Sequence, residues 1–69
     1  MKNPAETLAA IKAALDNPSP ELAAVPGALV YMRADYEWCQ SCLYHSVMNG
    51  KHEARIARLA AALGIEVQP

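Results

Sequence analysis

The stretch Ala28-Leu29-Val30-Tyr31-Met32-Arg33-Ala34-Asp35-Tyr36-Glu37-Trp38-Cys39-Gln40-Ser41-Cys42-Leu43-Tyr44-His45-Ser46-Val47-Met48-Asn49 contains neither proline nor glycine. Within it Leu29, Met32, Tyr36, Cys39, Leu43 and Ser46 follow one another at alternating spacings of three and four, the period of one face of a helix. At about 100° per residue, with Tyr36 as zero, these six lie between roughly −80° and +20°, the width of an ordinary core stripe. The opposite side is not polar. Val30, Tyr31, Ala34, Trp38, Ser41, His45 and Met48 fall between roughly 120° and 220°, so a second stripe holding the single Trp of the chain faces away from the first. Only Arg33, Glu37 and Gln40, with the Tyr44 hydroxyl, form a clearly polar arc. The segment therefore predicts one long central helix, about 28–49, that needs cover on two sides.

Its neighbours are short. Asn3-Pro4-Ala5-Glu6 places Asn at an N-cap, Pro at the first helical position where its missing N–H costs nothing, and Glu at N3. Leu8, Ile11 and Leu15 then mark a helix over about 4–16, which Asp16-Asn17-Pro18 stops because a residue before Pro is pushed out of the α region. Ser19-Pro20-Glu21-Leu22 repeats the capping pattern, but Pro26 arrives soon after, so only a short helical turn and then a corner at Pro26-Gly27 are expected. Asn49-Gly50 is expected to end the long helix with a left-handed residue. A last helix over about 51–63 carries Ile56, Leu59 and Leu63 on one stripe and stops at Gly64, with Ile65 placed to fold back in a Schellman-type ending. The expected fold is a small all-α bundle or hairpin in one domain.

Composition narrows the function classes. A chain of 69 residues and 7.4 kDa buries only about 60% of the surface its unfolded form exposes, so its own core is thin. Apolar residues make up 54%, yet 14 of the 69 residues are Ala, and the chain has no Phe. Six basic against seven acidic residues give a net charge of −1, which supplies no general attraction to nucleic acid or to an anionic membrane. No apolar run approaches the roughly 18 residues of a spanning helix, and Met1-Lys2-Asn3-Pro4 is not followed by the apolar core of a signal peptide. A soluble cytoplasmic protein is expected. Two Cys three residues apart cannot staple a disulfide scaffold.

Three constellations bear on chemistry. Trp38-Cys39-Gln40-Ser41-Cys42 resembles the active-site stretch of thioredoxin-like proteins, and that resemblance implies a thiolate at the first Cys that attacks disulfides. On the helical reading Cys39 instead lies mid-helix, where no helix-end field lowers a thiol pKa, and two small apolar thiols are expected. Cys39, Cys42, His45 and His52 also form a candidate zinc set, but His45 lies about 60° round from Cys42 and about 120° from Cys39, so one helix does not aim all three at one ion. Lys51, Arg55 and Arg58 share a face of the last helix. Leu59 to Ile65 is similar to the end of the first helix of a helix-turn-helix, although only four residues follow, too few for a recognition helix. A solvated basic face with Glu53 nearby is expected, from which Arg55 is a candidate contact to an acidic patch on a partner. Asp35 and Glu37, two apart, point in different directions on a helix and form no acid/base couple.

The sequence thus predicts a non-enzymatic interaction or regulatory protein, with no metal, cofactor or small-molecule substrate. It would occlude or scaffold a partner through Tyr31, Trp38, His45, Met48 and Arg55, as a homodimer or against another protein, and with no membrane or nucleic-acid partner. Bacterial and phage regulators that bind and block a host protein offer an analogy of size and composition. The alternative reading is a thiol redox or metal-binding module built on the WCxxC segment.

Overall fold

Capping sets the first boundary. Asn3, with extended backbone, accepts the Glu6 N–H on its Oδ1 at 3.2 Å, Pro4 occupies the first helical position, and α1 runs Pro4–Asp16 in a computed structural model that describes residues 3–45 and 49–67. The Asn17 N–H closes its end on the Ala13 carbonyl at 3.1 Å. A one-turn helix α2, Pro20–Ala23, starts the same way, with Ser19 Oγ accepting the Leu22 N–H at 3.3 Å.

The central helix α3, Pro26–Tyr44, starts two residues before the expected position. Pro26-Gly27 is its first turn and not a corner: proline's fixed φ suits the first helical position, while Val25, the residue before it, is held at φ −123° and ψ 76° and makes the bend instead. The described part of the helix ends at Tyr44, with His45 as C-cap donating its N–H to the Ser41 carbonyl at 3.0 Å. The rest of the expected span, with Ser46 and Met48, lies outside the described residues.

Gly50 also departs from expectation. It opens the last helix, α4, Gly50–Ala62, and has no positive φ. Asn49 serves as N-cap in place of a C-terminal stop, its Oδ1 accepting the N–H groups of Lys51 at 2.9 Å and His52 at 3.4 Å. His52 stands where a capping box has Glu or Gln. Its Nδ1 accepts the Asn49 N–H at 3.3 Å when bare, and lies 2.8 Å from Asn49 Oδ1, to which it donates when protonated. The far end follows the sequence reading. Gly64 has φ 73°, its N–H reaches the Ala61 carbonyl at 3.1 Å, and the Ile65 N–H reaches the Ala60 carbonyl at 2.9 Å, the paired bonds of a Schellman motif.

All regular structure among the described residues is helical. Helices α1, α3 and α4 each pack on the other two, and α2 lies against α3. Leu8, Ile11 and Leu15 of α1, Cys39 of α3, and Ile56, Leu59 and Ala60 of α4 form the buried core, with Leu29, Met32, Tyr36 and Leu43 half-buried against it. The expected seam of α3 is therefore the one that faces the core. Ile65 folds back onto the same cluster. The Arg33 guanidinium donates to the Leu15 carbonyl at 3.2 Å, satisfying a carbonyl in the last turn of α1 where a cation also complements the helix dipole. Among the described residues no helix is long and apolar enough to cross a membrane.

Candidate functional site

The side of α3 that turns from the core stays uncovered. Val30 is 65% exposed, Tyr31 72% and Trp38 42%, Ala34, Ser41 and His45 on the same side are exposed as well, and Tyr44, 82% exposed, stands beside them in the polar arc. A single helix thus presents an apolar and aromatic outer face about 22 Å long at 1.5 Å per residue from Val30 to His45. The 17–27 segment leaves it open. Val25 is itself 53% exposed, and Leu22 lines a hollow with Ala14, Asn17, Ala62 and Leu63 at the C-terminal ends of α1 and α4.

Trp38 is held from one flank by α4. The His52 ring stacks on the indole with centroids 5.2 Å apart and planes 10° from parallel, and the Arg55 guanidinium lies over the ring at 4.1 Å. Arg55 also donates from Nε to Asp35 Oδ1, one turn before Trp38 on the same helix. This pairing raises the Arg55 pKa, with the hydrogen bond to Asp35 as its largest cause. Asp35, Trp38, His52 and Arg55 form one connected clasp between α3 and α4. Arg55 is accordingly not part of a freely solvated basic face, as its spacing with Lys51 and Arg58 suggested: it is drawn inward because a carboxylate and an indole face stand opposite it.

Beside the clasp is a cleft of about 300 Å³ bounded by Tyr31, Met32, Asp35, Arg55, Arg58 and Leu59. It joins the outer face through Tyr31. At the other end, His45 Nδ1–H donates to the Ser41 carbonyl at 2.8 Å, since a carbonyl can only accept, and the Tyr44 and His45 rings meet edge to face at 5.2 Å. Of the residues expected to form a site, Tyr31, Trp38 and His45 share the outer face of α3, Arg55 joins them from α4, and Met48 lies outside the described residues. Asp35 and His52 complete the constellation, although sequence reasoning assigned neither to it. His52 had a local signal in Asn49-x-x-His52, a capping box with an imidazole acceptor. Asp35 had none, because its partner is 20 residues away.

Cys39 is closed off from solvent. Cys39 is fully buried, and loss of solvent, with Asp35 nearby as a lesser cause, pushes its pKa from an ordinary 9.0 up to about 11, so it is a neutral thiol at physiological pH. Both Cys39 and Cys42 are free. His52 is committed to Trp38 and Asn49, His45 to Ser41, and among the described residues no three His, Cys, Asp or Glu side chains are grouped to hold a metal ion. Compared with protein-family models, with curated proteins and with solved structures, the chain matches none.

Proposed function

We propose that the chain is a small non-enzymatic interaction protein that acts by docking the outer face of α3 on another protein surface, occluding or scaffolding what it binds. The supporting observation is the run of Val30, Tyr31 and Trp38, large side chains left exposed along one side of a helix whose other side already supplies the core. Exposed apolar patches of this kind on a small protein mark contact sites, and aromatic residues with a polar tip, together with Arg, are enriched in them. The clasp supplies rigidity. Trp38 is fixed by His52 and Arg55 before any partner arrives, so little side-chain freedom is lost on docking.

Photo-crosslinking in the cells that make the protein tests this reading. A photoreactive residue at Val30 or Ser41 is expected to give a heavier adduct with a protein, while one at exposed Ala10 on α1 gives none. Equal yields at the three positions, or no adduct from the α3 positions, would refute it.

A further inference from the structure

We infer that the occupant of this face is a second copy of the chain, with the two α3 helices antiparallel about a two-fold axis near the level of Asp35. The inference rests on the docking role proposed above and adds the partner and its register. It starts from charge. The outer face is bordered on one flank by Arg33 and Glu37, exposed residues of opposite sign one turn apart, and among the described residues Glu37 has no ion-pair partner in its own chain. A two-fold axis perpendicular to both helices keeps each flank on the same side of the pair. At 1.5 Å per residue, Arg33 and Glu37 lie about 3 Å on either side of the level of Asp35. Turning the copy end for end therefore brings Arg33, whose guanidinium also donates to the Leu15 carbonyl of its own chain, level with the copy's Glu37, so that each Glu37 gains a cation.

The shapes agree with the charges. In that register Trp38 of one copy, about 4.5 Å beyond the axis, falls between the levels of Tyr31 and Ala34 of the other, and the small Ala34 leaves room for the indole. The middle of the face between Val30 and His45 carries no ionised side chain that would be buried unpaired. Antiparallel rods also oppose their dipoles favourably. A single helix pair lies at the small end of interface sizes, so a dissociation constant in the micromolar range is expected.

Sedimentation equilibrium on the full chain provides the test, with circular dichroism reporting the fold of each variant. The wild type is expected to be a dimer at high concentration. Glu37→Arg alone sets like charges together and is expected to weaken the dimer about ten-fold or more, as is Arg33→Glu alone. An equimolar mixture of the two variants restores opposite signs at both pairs and is expected to dimerise as the wild type does. Val30→Asp, at an exposed position, is expected to stay folded and become monomeric. A wild type that stays monomeric at millimolar concentration, or single variants that dimerise unchanged, or a mixture no tighter than its components would each overturn the inference. If the α3 crosslinks carry another protein while the chain sediments as a monomer, the docking role stands and the self-pairing falls; if neither adducts nor dimers form, both fall.

Discussion

Cys39 shows how one buried side chain turns burial into chemistry. With its pKa raised, the folded chain holds the thiol proton through a range in which the unfolded chain has lost it. Its contribution to stability is present in full below the ordinary value of 9.0 and is lost as pH climbs toward about 11. Urea unfolding across that window is expected to show wild-type stability falling more steeply with pH than that of Cys39→Ala. Parallel curves would contradict the buried neutral thiol. Thiol titration separates the two cysteines: half-buried Cys42 is expected to react in the native state and Cys39 only on unfolding. At the clasp, Arg55→Ala removes both the cation over the indole and the partner of Asp35, whose side chain is only 13% exposed. A red-shifted Trp38 emission and a lower melting temperature are the expected results. An unchanged spectrum would mean that the guanidinium does not rest on the ring in solution.

At the scale of elements, the ends of the helices decide more than their middles. Helix α4 begins at Asn49 because that side chain and His52 satisfy N–H groups the helix cannot satisfy itself, so Asn49→Ala is expected to cost about 1 kcal/mol in chemical denaturation. The glycines separate by conformation. Gly64 at φ 73° forms the Schellman turn, and Gly64→Ala is expected to destabilise by about 1 kcal/mol. Gly27 lies in the first turn of α3 with nothing within 4 Å of where a Cβ would stand, and Gly27→Ala is expected to stabilise by about 0.5 kcal/mol. Opposite signs at the two positions are the readout. The starts of α1 and α2 and the end of α4 were legible because each depends on contacts within four or five residues. The boundary near Gly50 was misread for the same reason: Asn-Gly suits a helix stop and a helix start equally, and only the following turn distinguishes them.

For the whole molecule, the limiting quantity is the small core. Seven of the described residues are buried, and three of them, Leu8, Ile11 and Leu15, come from α1. Removing a buried branched side chain costs about 3 kcal/mol, against a total stability of about 5 kcal/mol for a chain this size. Ile11→Ala or Ile56→Ala is thus expected to remove more than half of that stability and to lower the melting temperature by about 10 °C or more, as read by circular dichroism. Self-association would add stability by mass action, so the melting temperature of the wild type is expected to rise with protein concentration and that of Val30→Asp to stay constant.

What the amino-acid sequence determined by itself was the helical class, the capped starts, the glycine ending and which stripe of the central helix turns inward. Those features follow from local hydrogen bonding and from a period of 3.6, both written in neighbouring residues. The tertiary structure alone decided that Asp35, Trp38, His52 and Arg55 meet, and that the turn at Pro20 leaves the outer face of α3 bare. Such meetings depend on how α4 is rotated and set against α3, and that is fixed by the packing of Ile56 and Leu59 on Leu8, Ile11 and Cys39. No spacing along one segment encodes the rotation of one helix against another.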